Sequence, residues 1–143
     1  MSKRLLVAYK FGSRFSGDLS PKEGINIYEL HAREHGGKVL FTINKSPAPE
    51  YRDKIEEIIL MTKDGSFAVR AHVDFTGKGN VVNPPTEYSV PSIWDKEDRA
   101  KMGWFALSNL KRIKINLGDF TSVNGKDLIE SMSGNAYMVY VEL

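Results

Sequence analysis

One tetrapeptide constrains this chain more than any other feature. Lys63-Asp64-Gly65-Ser66 separates two runs with strand character. Asp-Gly between such runs is a strong short-range hairpin signal, because these residues tolerate the positive φ that a reversing turn demands. Before the turn, Ile55, Ile58, Ile59, Leu60 and Met61 form an apolar run. After it, Phe67, Val69, Ala71, Val73 and Phe75 alternate with Ser66, Ala68, Arg70, His72 and Asp74. Side chains alternate across a strand, so one face is apolar and the other mostly polar. The pattern predicts an antiparallel pair with those five apolar residues facing the core, and it excludes a helix over 55–75.

The remaining chain reads as more strands joined by short connections. Arg4 to Lys10 is a buried strand, and Phe11 to Gly24 a polar loop. Ile25, Tyr28, Leu30 and Ala32 make a helical stripe that Gly36-Gly37 ends as a C-cap pair would. Val39 to Ile43 is a strand, and Ser46-Pro47-Ala48-Pro49 a rigid break. Thr76 to Val90 carries Gly77, Gly79, Pro84 and Pro85 and reads as a long loop. Asp95 to Met102 is a short helix whose acidic start and basic end suit its dipole. Trp104 to Leu107, then Ile113, Ile115 and Leu117, are strand-like. Asp119 to Gly125 is a turn, Lys126 to Met132 a short amphipathic helix, and Tyr137, Val139 and Val141 mark a last strand. The expected class is mainly β with short helices (α+β), about six strands arranged as a barrel or sandwich.

Composition narrows the function classes. The 143 residues make one ordinary domain, 1–143. A hydrophobic share of 41% and a charged share of 27% speak against disorder and coiled coil. The absence of cysteine excludes disulfide scaffolds, thiol nucleophiles and thiolate metal sites. A formal net charge of +2 is too weak to argue for nucleic acid by itself. No apolar run reaches the ~18 residues of a membrane span, and Leu5 to Tyr9 is shorter than the about 7–15 residues of a signal-peptide core. A cytoplasmic setting without membrane contact is the default expectation. Oligomeric state stays open.

Several motifs can be weighed. His31-Ala32-Arg33-Glu34-His35 matches the inverted zinc-protease pattern. A third ligand is missing downstream and such proteases need a larger frame, so an exposed helix end with His35 on the dipole is the reading that fits. No G-x-S-x-G surrounds a serine, and Gly77-Lys78-Gly79-Asn80 lacks the spacing of a phosphate-binding loop. No catalytic residue, metal or nucleotide cofactor is indicated. The aromatics Tyr51, Phe75, Tyr88, Trp94, Trp104 and Phe105 offer faces for nucleobases or bulk for a core. Trp104 and Phe105 are strand neighbours and point to opposite sides, so one of the two is expected in the core and the other free to line a pocket. Asn80, Asn83, Thr86, Glu87 and Ser89 sit beside them in sequence and carry the polar groups that read a base edge. Lys111, Arg112 and Lys114 form a basic cluster, with Arg112 and Lys114 on one strand face. With Arg70 and Lys78 they fit phosphates, or else a solvated surface.

The order of these features resembles the PUA-like β-barrel superfamily, in its EVE-like and ASCH-like branches. The resemblance rests on Tyr28 to Val39 with its His-Gly-Gly, on Val69-Arg70-Ala71-His72-Val73 after the hairpin, on Pro91-Ser92-Ile93-Trp94, and on Trp104-Phe105-Ala106-Leu107 before a basic strand. Where EVE proteins open with Tyr-Trp, this chain has Ala8-Tyr9. The resemblance implies a nucleic-acid-binding module, DNA or RNA, holding a base, modified or unmodified, in an aromatic-lined pocket. The candidate contacts are Trp94, Trp104, Tyr88, Asn83, Arg70, Lys78, Arg112 and Lys114. It also implies two alternatives. One is a small ASCH-like hydrolase of RNA or modified nucleosides. The other is an interaction or inhibitor module of phage–host defence, in which Asp95, Glu97 and Asp98 mimic phosphate.

Overall fold

The computed structural model describes residues 4–11, 20–43, 49–78, 87–91, 103–134 and 138–143. Its elements are β1 (Leu5–Lys10), α1 (Pro21–Glu34), β2 (Lys38–Ile43), α2 (Pro49–Arg52), β3 (Ile55–Met61), β4 (Ala68–Lys78), β5 (Gly103–Ile113), α3 (Leu128–Ser133) and β6 (Met138–Glu142). The strands form one mixed sheet in the order β2-β5-β4-β3-β1-β6. β1 runs parallel to β3, and every other pair is antiparallel. The mainly β class is therefore present. No ladder joins β2 to β6 among the described residues, so the sheet has two ends and barrel closure is not seen there.

Both faces of the sheet are covered. On one, α1 lays Ile25, Tyr28 and Ala32 against Leu5, Val7, Tyr9, Phe41, Ile58, Val69 and Phe105. On the other, α3 lays Leu128 and Met132 against Leu6, Ala8, Ile59, Met61 and Val141. A second small cluster on that face joins Leu40, Tyr88, Trp104 and Ala106. Double coverage explains why Leu5 to Tyr9 shows no polar alternation: all five residues are buried. β1 lies between β3 and β6, and the Leu143 amide donates to the Arg4 carbonyl beyond their ladder.

The hairpin forms as expected, with β3 and β4 antiparallel. Gly65 takes φ 74°. Asp64 Oδ1 accepts from the Ser66 amide at 3.0 Å, the Ser66 hydroxyl at 2.7 Å and the Thr62 hydroxyl at 2.9 Å. These bonds, the Ser66 amide foremost, hold its carboxyl down at about 2.

Five expectations need correction. Thr76, Gly77 and Lys78, read as the start of the long loop, continue β4 and pair with Phe105, Trp104 and Gly103, because the facing strand β5 reaches that far. The first loop stops at Ser20, whose side chain and that of Glu23 form a capping box, with Pro21 opening the helix. Leu30 is exposed and does not belong to the buried stripe of α1; Glu29 takes that phase instead. β5 runs unbroken from Gly103 to Ile113, and Leu117 beyond it is exposed. Phe75 does not face the core. Val73 pairs with Leu107 but Phe75 with Ala106, so two steps on β4 match one on β5. The extra residue, Asp74, is a bulge that reverses the alternation and leaves Phe75 53% exposed.

Candidate functional site: a polar trough on β4 and β5

β4 and β5 are the two longest strands, and they pair along nearly their full length. Their ladder carries a second bulge. Arg70 pairs with Lys111 and His72 with Ser108, so two steps on β4 match three on β5. Around it, between the two clusters of the α3 face, lies a trough of about 610 Å³. Glu57, Arg70, His72, Ser108, Asn109 and Lys111 supply its polar lining.

Arg70 is fixed. Its Nε and Nη2 donate to Glu57 Oε1 and Oε2 at 2.6 and 3.0 Å, a two-bond fork. That bond holds its proton more tightly than in a lone arginine. The guanidinium also lies 5.9 Å from the Phe120 ring centre. Lys111 is exposed and makes no ion pair among the described residues. Two cations thus line the trough against one carboxylate.

One end of the trough continues through a polar chain to an aromatic pair. His72 Nε2 lies 3.5 Å from Asp74 Oδ1, and the Tyr88 hydroxyl donates to Asp74 Oδ2 at 2.6 Å. Burial first, then Asp74, pushes the Tyr88 hydroxyl up to about 12. The Tyr88 ring meets Phe75 edge-to-face at 6.3 Å.

The candidate residues scatter. Trp104 is 2% exposed and packs over Gly77 within the core, so it offers no face to a base. Phe105 is fully buried on the other face, so the two rings do point to opposite sides, but both are structural where only one is expected to be, because each face of the sheet has its own core cluster. Tyr88 is buried as well. Arg70 and Arg112 do not meet. Arg112 pairs with Val69 across the ladder and faces α1, where its Nη2 binds Glu29 Oε1 at 2.6 Å. One phosphate path therefore cannot engage both arginines from a single face. Lys114 lies exposed past the end of β5, and Lys78 is the last residue of β4. Trp94 and Asn83 lie outside the described residues, as do the helix expected over 95–102, Tyr137 and the acidic run.

His31 and His35 stack at 3.9 Å, the arrangement of a helix end. His35 Nδ1 donates to the His31 carbonyl at 2.7 Å, and His31 Nε2 bonds Ser89 Oγ at 2.8 Å. No group of three metal-ligating side chains occurs among the described residues.

Sequence reasoning missed Phe75 as an exposed ring and Ser108 and Asn109 as trough residues. The interruption of an apolar strand by Ser108-Asn109 was the available signal, since Asn tolerates the backbone of a bulge. No described helix is long and apolar enough to cross a membrane. A scan against family models finds no match, and searches of curated proteins and of solved structures find none either.

Proposed function

We propose that this chain is a nucleic-acid-binding module of PUA-like type, an incomplete barrel that uses the trough on β4 and β5 as its contact surface. One observation carries the reading: the bulge at Asp74 turns Phe75 outward beside the trough. Phe75 is the one exposed Phe, Tyr or Trp among the described residues. An open ring stacks on any base, and Arg70 and Lys111 suit the adjoining phosphates. The stacking role thus passes from Trp104 to Phe75. Trp94, Asn83 and Lys78 stay in the proposal on sequence grounds.

The test is a titration of labelled single-stranded, duplex and base-modified oligonucleotides at fixed salt. Phe75→Ala is expected to weaken binding by about 1–3 kcal/mol, with little change in melting. Lys111→Ala is expected to weaken all sequences alike and lower the salt slope by about one. A wild-type chain that binds none of these at low salt refutes the proposal.

A further inference from the structure

Asn109 is held at φ 55°, the one non-glycine residue with positive φ among the described residues. It stands inside a strand, at the β5 bulge, where glycine carries no left-handed penalty. Asparagine is among the few other residues that tolerate this conformation, but glycine would take it at no cost, so backbone need alone does not require the side chain. Its amide makes no hydrogen bond among the described residues, it is exposed, and it lines the trough beside Lys111 and Ser108. Strained positions that serve no packing need tend to serve binding.

We propose that Asn109 is the base-reading residue of this trough. The inference rests on the nucleic-acid reading above. The side-chain amide presents a donor and an acceptor in one plane, which matches the paired donor and acceptor on a nucleobase edge. Asn109 lies three residues along β5 from Ala106, the partner of Phe75. At the rise of a strand that is about 10 Å, too far for one base to reach both. Phe75 therefore stacks one base, Asn109 reads another, and Lys111 meets the phosphate beside it. Arg70, locked on Glu57, forms the fixed opposite wall.

The experiment ranks affinities of the full chain for oligo-A, oligo-C, oligo-G and oligo-T or oligo-U, as DNA and as RNA, and repeats this with Asn109→Gly and Asn109→Asp. Asn109→Gly is expected to melt at the same temperature or higher. It should also lose about tenfold on the preferred base, so that the ranking flattens. Asn109→Asp, which only accepts, should move preference toward bases that present amino groups. A ranking that survives Asn109→Gly overturns the inference while leaving the module reading intact, as does a wild-type chain that binds without ranking. A lowered melting temperature for Asn109→Gly overturns the strain argument. A wild-type chain that binds nothing removes both readings.

Discussion

Arg112 separates a structural cation from a phosphate ligand. Its partner Glu29 sits on α1 with a side chain only 9% exposed, while Arg112 itself is 54% exposed. The guanidinium also bonds Asn26 Oδ1 at 3.3 Å and covers the Phe67 ring at 4.9 Å. Truncating one member of a buried pair costs roughly 3–5 kcal/mol, because the other charge is left stranded. Two features reduce that here. Arg112 is half in water, and Arg33 stands 3.9 Å from the same carboxylate. The lost contact with Phe67 restores about 0.5–1 kcal/mol to the cost. Arg112→Ala should therefore destabilise by about 1–3 kcal/mol in urea unfolding, a melting decrease of roughly 3 °C per kcal/mol at this size. Adding Glu29→Gln should recover most of the loss, since the stranded charge is gone. Lys114→Ala, on the exposed neighbour, should stay within about 0.5 kcal/mol of wild type. An Arg112→Ala chain as stable as wild type but weaker for every oligonucleotide would refute this reasoning and return Arg112 to the phosphates.

Two further substitutions probe the frame. A Cβ on Gly65 would lie 2.7 Å from the Ile115 carbonyl oxygen and 2.5 Å from Ile129 Cδ1, at φ +74°, so Gly65→Ala should cost about 2–4 kcal/mol in chemical unfolding. Gly36→Ala, at φ +69° with open space around it, should cost only the backbone share of that. Tyr88 is the alkaline probe. Its hydroxyl is raised to about 12, so the folded state keeps a proton that the unfolded chain releases near 10. Stability is whole below pH ~10 and should fall by about 2–3 kcal/mol as pH climbs through the folded value. Unfolding curves against pH should lose that slope in Tyr88→Phe.

The hairpin was legible because its signals are local: Asp64-Gly65 and the alternation on both sides act within a few residues. The end of α1 was legible for the same reason, at Gly36-Gly37. Its start was equally local, written as Ser20-Pro21-Lys22-Glu23. Phe75 could not be placed, since the bulge at Asp74 depends on where β5 pairs and on the Tyr88 hydroxyl that takes up Asp74. Glu29 defeats periodicity for a related reason: a carboxylate holds an apolar phase only because Arg112, far along the chain, arrives beside it. The trough is a product of two register shifts between β4 and β5: Ser108-Asn109 marks one of them in the sequence, and nothing on β4 marks the other.

The position of β1 has a consequence for how the molecule is made. This strand precedes both of its neighbours in the sheet, β3 and β6, in chain order. During synthesis its five apolar residues are present before either partner exists. After β3 docks, one edge of β1 still offers bare amides and carbonyls until β6 emerges. Such an edge, apolar on both faces, readily recruits a strand from another chain. Nascent chains stalled before β6 should accordingly self-associate, while the finished chain closes that edge with Val139 and Val141 and ties it off where Leu143 meets Arg4.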